Sequence, residues 1–508
     1  MVVVGAGPAG LAAACDLCDR GYAPLVIEAE DMVGGIARTL NHNGNRIDLG
    51  GHRFFTKSEP VHAWWEALLP PQGAPSCDDV ELGRDVPLSS APDAPDPELT
   101  DRVMLSRPRM SHIYYLRKFF DYPVSLSLGT LANLGVIRTI RIGFGYLLAK
   151  VWPRRPELTL EDFMVNRFGR PLYEMFFRGY TEKLWGVPCA SISADWGAQR
   201  IKGISIGAAV AHAIRTLVDG GTKGGKVETS LIDRFSYPKL GPGQLWETAA
   251  EYVANHGGEV RLGTAVTGVR FEAGRVVGVD VQSAEGLGVT IECDALMSTL
   301  PIADLVAMSH GVDVPAEVRR VASGLPYRDF LTCGLLVPQL ERTAVDGGPL
   351  MDNWIYIQEP EVTVGRVQIF NNWSPYMVAD RSLTWIGTEY FCDEGGPLWT
   401  TPDDRIAELA ASELETIGLI RAESVLDSVV IRVPKAYPAY FGTYADMDVV
   451  RTWIESVENL YVMGRNGMHR YNNMDHSVMS AWAAVRALVG EGTRAAVWQV
   501  NADDAYQE

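Results

Sequence analysis

Val2-Val3-Val4-Gly5-Ala6-Gly7-Pro8-Ala9-Gly10 opens a chain of 508 residues. The valines read as a short buried strand, Gly5 to Gly10 as a turn, Leu11 to Arg20 as an Ala- and Leu-rich helix, and Pro24 to Glu28 as a second strand. In such a βαβ unit the first glycine permits a tight turn, the second lets backbone approach a pyrophosphate, and the third lets helix pack closely on strand. Pro8 and Ala9 lead into the helix, whose N-terminus offers N–H groups and a partial positive charge to phosphates. Glu28, ending the second strand, is placed to accept hydrogen bonds from ribose hydroxyls. The unit predicts a Rossmann-like dinucleotide-binding domain.

Two glycine pairs extend this pattern. Asp31-Met32-Val33-Gly34-Gly35-Ile36-Ala37-Arg38-Thr39 resembles the paired-glycine extension of FAD enzymes of the amine-oxidase and mutase type, where backbone and an arginine contact the diphosphate. The expected cofactor is therefore FAD, with NAD alone as the alternative. Asp48-Leu49-Gly50-Gly51-His52-Arg53-Phe54-Phe55 lets backbone pass close to a flat ring. By its match to the mutase pattern, His52 is expected against the isoalloxazine.

Gly169-Arg170-Pro171-Leu172-Tyr173-Glu174 runs on to Phe176 and Gly179-Tyr180-Thr181-Glu182-Lys183-Leu184-Trp185. Near the C-terminus stands Gly464-Arg465-Asn466-Gly467-Met468-His469-Arg470-Tyr471-Asn472-Asn473-Met474-Asp475. With the fingerprint, these motifs resemble the UDP-galactopyranose mutases, flavoenzymes that rearrange a nucleotide sugar between pyranose and furanose forms. The resemblance implies a substrate wall of Phe176, Tyr180, Thr181 and Trp185, with Tyr180 and Trp185 flanking a nucleobase. It implies Arg200 and Arg366 as a diphosphate clamp, oriented by Tyr437 (in Ala436-Tyr437-Pro438) and Tyr471. Gly464, Arg465, Asn473, Met474 and Asp475 are expected near the flavin. Reduced FAD would attack the anomeric carbon through N5, so that Arg200, Arg366 and His52 are the catalytic candidates and no side-chain nucleophile is needed.

The resemblance further implies a UDP-linked sugar as substrate, an external flavin reductant such as NAD(P)H, and allows a homodimer. Asn473 stands where bacterial mutases carry an acid, His476-Ser477 looks more like the eukaryotic form, and Phe235 to Gly243 resembles amine-oxidase-type flavoproteins generally. The sugar is accordingly left open. The runner-up is an FAD-dependent oxidoreductase of the amine-oxidase or desaturase type; a flavin-bound regulatory protein is a third class.

A net charge of −18 argues against a nucleic-acid surface, which needs clustered Lys and Arg. Met1 leads straight into the first strand, no apolar run is long enough to span a bilayer, and seven scattered cysteines form no disulfide framework; together these predict a cytoplasmic protein. Cys15 and Cys18 read as small buried helix residues, and no metal site is expected. Leu131 to Trp152, interrupted by Arg138, Arg141 and Lys150, reads as an amphipathic helix pair packed on the rest of the protein.

The expected architecture is α/β, with a Rossmann-like FAD-binding domain interleaved with a helical substrate domain and an antiparallel β-sheet domain. Residues 1–69 form the first part of the FAD-binding domain. Pro- and Asp-rich residues 70–108 read as an exposed, mobile insertion. The helical domain is expected over 109–218, a FAD-binding and β part over 227–300, the antiparallel-sheet domain over 301–450, the last FAD-binding part over 451–495, and a tail over 496–508.

Overall fold

The computed structural model describes residues 1–122, 130, 133–194, 196–197, 233–343 and 348–501. Its first layer is a five-stranded parallel sheet in the order Leu460–Val462, Leu296–Ser298, Val2–Val4, Leu25–Ile27, Glu259–Arg261. Helices cover both faces of such a sheet, which is why its strands are short apolar runs without polar alternation. Pro8–Asp19 lies between the helices Met474–Leu488 and Gly243–Asn255. Cys15 and Cys18 are buried there, their thiols directed at the Ala249 and Val253 carbonyls. Among the described residues no cluster could hold a metal ion.

A second layer is a seven-stranded sheet ordered Asp427–Pro438, Tyr327–Val337, Thr384–Cys392, Arg366–Ile369, Trp354–Ile357, Ser111–Tyr115, Lys118–Asp121. It is antiparallel except where Trp354–Ile357 and Ser111–Tyr115 run parallel. Residues 111–121 thus join the sheet as a hairpin before the helices begin. A smaller four-stranded sheet, built on the hairpin Thr264–Glu272 and Arg275–Ser283, carries the chain back to the parallel sheet.

The helical part comprises Val136–Val151, Leu160–Phe168, and a continuous run from Arg170 to Trp185 that widens to a π turn over Glu174–Arg178. Thr159 caps Leu160–Phe168, its hydroxyl accepting from the Asp162 N–H at 3.1 Å. Gly145 and Gly169 allow two helices to touch: a Cβ on Gly145 would lie 2.3 Å from the Pro171 ring, and one on Gly169 2.6 Å from the Gly145 backbone. One expectation fails here. The apolar residues of Val136–Val151 mostly face outward, and only Ile142 and Ala149 of this helix are buried.

Residues 70–108 also depart from expectation, being packed rather than exposed over much of their length. Ser76 opens the short helix Cys77–Glu81 with a capping box, and Met104–Pro108 pairs antiparallel with Arg234–Pro238. Arg107, with no exposed surface, donates to Asp78 at 2.5 and 3.1 Å and lies 3.6 Å from the fully buried Asp79. Prolines prevent regular structure but not burial of charged pairs, which no local composition reveals.

Two predictions follow from this packing. Arg107→Ala leaves Asp78 and Asp79 with Arg84 as their remaining cation, at 2.8 and 3.5 Å, and is expected to lower unfolding free energy by about 2–4 kcal/mol, read by chemical denaturation. A Cβ on Gly10 would sit 1.8 Å from the Gly5 carbonyl oxygen, so Gly10→Ala is expected to give colourless protein with a lowered Tm. A yellow, equally stable variant would contradict this packing.

Candidate active site

A cavity of about 920 Å³ lies between the two large sheets and the helical part. One end is made of glycine turns. Gly5 has φ +96°, and a Cβ there would meet the Thr299 hydroxyl at 2.0 Å. Gly7 caps the helix Pro8–Asp19, with Pro8 at its first position where no N–H is needed. Gly34 (φ +102°) donates to the Ala6 carbonyl at 2.9 Å, and a Cβ on Gly35 (φ +54°) would approach the Gly7 Cα to 3.2 Å. The two turns therefore form one surface, and only glycine leaves room for a ligand backbone against it. Gly7, Pro8, Ala9, Glu28, Gly35 and Arg38 line the cavity, whereas Gly5, Gly10 and Gly34 shape it from behind.

Glu28 is anchored from below, accepting from the Ala6 N–H at 2.7 Å and the Glu30 N–H at 3.0 Å. A carboxylate has about four acceptor positions, so capacity remains for hydroxyl donors. The Nε atoms of Arg38 and Arg465, both lining the cavity, are buried without a hydrogen-bond partner. Buried donors left unpaired in the protein alone suit a bound anion. Glycine cradle, acidic residue and orphaned guanidinium donors together fit the FAD that the fingerprint implies.

Gly50, Gly51 and His52 form the middle of the cavity. Gly50 takes φ +95°, and a Cβ on Gly51 would press the Trp373 ring at 3.3 Å. His52 Nδ1 lies 3.0 Å from the Gly50 carbonyl, which can only accept, so Nδ1 carries the proton and Nε2 is left as an acceptor. Burial, reinforced by Arg465 and Arg366, lowers the His52 pKa to about 3. The ring is thus neutral across the physiological range. Gly464 (φ +79°) abuts Ala9, its hypothetical Cβ only 2.8 Å from that methyl, and so brings the C-terminal motif onto the fingerprint helix. Asn473, Met474 and Asp475, at the start of the helix Met474–Leu488, line the same region.

In the same cavity, Tyr437 and Tyr471 stack with centroids 5.7 Å apart, and the Arg465 guanidinium lies 4.0 Å from the Tyr471 centroid. Arg366 enters from the seven-stranded sheet. Its Nε and Nη2 donate to one Glu389 oxygen at 2.9 and 2.5 Å, and Nη2 also reaches the Tyr437 hydroxyl at 3.3 Å. Gln368 donates to the other Glu389 oxygen at 2.8 Å. Arg366 therefore enters the site half-neutralised, as a fixed donor rather than a free cation. Glu389 and Gln368 escaped sequence reading; the available signal was an acid in the otherwise apolar strand Thr384–Cys392, fully buried here.

Phe176, Tyr180 and Thr181 line the aromatic end, Tyr180 meeting Tyr356 edge-on at 5.4 Å. Trp185 does not join them. It is buried behind the cavity, edge-on to Trp196 and Phe441, and Trp196 lines the cavity instead. Five helical residues span about 140°, which turns Trp185 away from the Tyr180 face. Lys183, in the same motif, is a tether: its Nζ donates to the carbonyls of Ile357, Glu359, Val362 and Val364 at 2.9–3.4 Å. Arg200 lies outside the described residues.

The sequence matches the profile of the NAD(P)-binding Rossmann-like domain over residues 3–68, and that of flavin containing amine oxidoreductases over residues 157–489. Short stretches resemble curated proteins: 56 residues at 45% identity to the 15-cis-phytoene desaturase of Arabidopsis thaliana, covering 11% of this chain and 10% of that one. A 50-residue stretch is 54% identical to the phytoene dehydrogenase of Streptomyces griseus, covering 10% of each. In overall structure the chain is similar to reduced UDP-galactopyranose mutase, with TM-score 0.76 and 21% identity over 98% of both chains. Putrescine oxidase bound to putrescine is more distant, at TM-score 0.57 and 15% identity over 96% of this chain and 98% of the other. These structures share the fold, and the profile spanning 157–489 assigns the lineage: the chain belongs to the flavin containing amine oxidoreductase family, a flavin-dependent enzyme with FAD as its cofactor.

Proposed function

We propose that this enzyme is a redox-neutral mutase that interconverts pyranose and furanose forms of a nucleoside-diphosphate sugar, UDP-linked, after reduction by an external donor such as NAD(P)H. The observation that supports it best is the cluster of Arg366, Arg465, Tyr437 and Tyr471 in the cavity that His52 also lines. Two guanidinium groups and two phenols beside a flavin site suit a leaving diphosphate and have no obvious work in oxidising an amine. When bound and reduced, FAD supplies electron density at the anomeric carbon. The residues supply the rest. Arg465, with no carboxylate partner among the described residues, contributes net positive charge; Arg366, held by Glu389, contributes directed donors; the stacked tyrosines fix the diphosphate's position. Neutral His52 adds no charge and keeps an acceptor at Nε2.

One observation favours a second reading, an oxidoreductase acting on an apolar substrate. Beyond Tyr180 the cavity continues between Met164, Phe168, Leu172 and Ile142, more hydrocarbon than a sugar nucleotide requires.

Redox dependence separates the two. Anaerobic, dithionite-reduced enzyme is expected to convert a UDP-sugar over many turnovers while the flavin absorbance stays that of the reduced form. Oxidised enzyme is expected to be inactive; stoichiometric bleaching of oxidised flavin by substrate would establish the oxidoreductase instead. For the site itself, Arg366→Ala is expected to raise the barrier by about 2–4 kcal/mol with the flavin still bound. Glu389→Gln keeps the donors but frees the charge of Arg366, and is expected to lower the Kd for UDP, measured by calorimetry.

A further inference from the structure

The helix Val136–Val151 presents to solvent the residues a soluble helix normally buries. Ile137, Ile140, Phe144, Leu147, Leu148 and Val151 are each between 48% and 84% exposed. At 100° per residue they fall within a single arc of about 100° that holds no polar side chain. The opposite side faces the protein: Ile142 and Ala149 are buried, and Gly145 abuts Pro171. The stripe is therefore the outer face of an anchored helix. Trp152, 75% exposed, follows at its end.

Charge identifies what this face meets. The chain carries a net charge of −18, yet residues 122–156 contain no Asp or Glu and include Arg138, Arg141, Lys150, Arg154 and Arg155. Arg141 and Lys150 border the apolar arc on either side. Arg154 is paired with Glu161 and Asp162; Arg138, Arg141, Lys150 and Arg155 have no carboxylate partner among the described residues. An apolar stripe flanked by unpaired cations, on an otherwise acidic protein, matches an interface of acyl chains beneath anionic headgroups. Two copies meeting through the same face would bring like charges together.

We propose that this helix docks the enzyme on an anionic phospholipid bilayer, lying in its surface rather than crossing it. No described helix is long and apolar enough to span. Docking would also set the cavity beside the lipid, because Ile142 and Leu134, on the inner side, line its apolar end. The proposal stands independently of the reaction catalysed.

Co-sedimentation of full-length holoenzyme with phosphatidylcholine vesicles, with and without phosphatidylglycerol, tests it. Wild type is expected to pellet with the anionic vesicles and to be released by salt. Ile140→Glu/Phe144→Glu is expected to weaken binding about tenfold or more on either vesicle, with flavin absorbance and Tm unchanged, since both side chains are exposed. Arg141→Glu/Lys150→Glu is expected to lose about tenfold on anionic vesicles only. Wild type that remains in the supernatant overturns the proposal, as does binding that Ile140→Glu/Phe144→Glu leaves intact. A dimer that those substitutions convert to monomer assigns the face to a second copy, and a sharp fall in Tm assigns it to packing within the chain itself; either result also overturns membrane docking.

Discussion

Backbone touching backbone at the fingerprint is the constraint on which the rest of the structure depends. Gly10 meets the Gly5 carbonyl, Gly35 meets Gly7, and Gly464 meets Ala9, each at a distance that a side chain on the glycine would occupy. Segments far apart in sequence thus converge on one helix N-terminus. The parallel sheet needs this convergence, because Val2–Val4 has neighbours on both sides and its helix must pack close to cover them. The cavity needs it too, since the space freed by missing Cβ atoms is the space where a cofactor's phosphates can approach N–H groups.

Electrostatics inside the cavity are set by what each charge is paired with. Arg366 and Arg465 look alike in sequence, yet one is locked to a fully buried glutamate and the other packs on tyrosine rings. A buried ion pair stabilises chiefly when intact and leaves little net field, whereas an arginine whose neighbours are aromatic keeps its charge available to a ligand. The same two cations, with burial, hold His52 neutral. Of these two arginines, Arg465 is therefore the one whose charge is more available to a ligand.

The amphipathic helix shows the limit of pattern reading. Its periodicity marks an apolar face correctly, but periodicity is indifferent to whether that face points inward or outward. Gly145 and Gly169 decide the orientation, by letting the helix lie against Pro171 on its small-residue side. The apolar stripe is left outside, where its cationic borders give it a different use.

Sequence alone determined the Rossmann-like domain, the flavin, and most of the cavity lining, from His52 through Tyr180 to Tyr471. The glycine turns are legible because close approach and left-handed backbone leave glycine as nearly the only choice there, whereas His52, Tyr180 and Tyr471 are legible only through the resemblance of their surrounding motifs to the mutases. Tertiary structure decided the pairing of Arg366 with Glu389, the withdrawal of Trp185 behind Trp196, the burial of Arg107 among acids in a proline-rich segment, and the outward face of Val136–Val151. Each depends on a partner in another element of the fold, and a residue's charge, burial and direction are properties of the pair rather than of the local sequence.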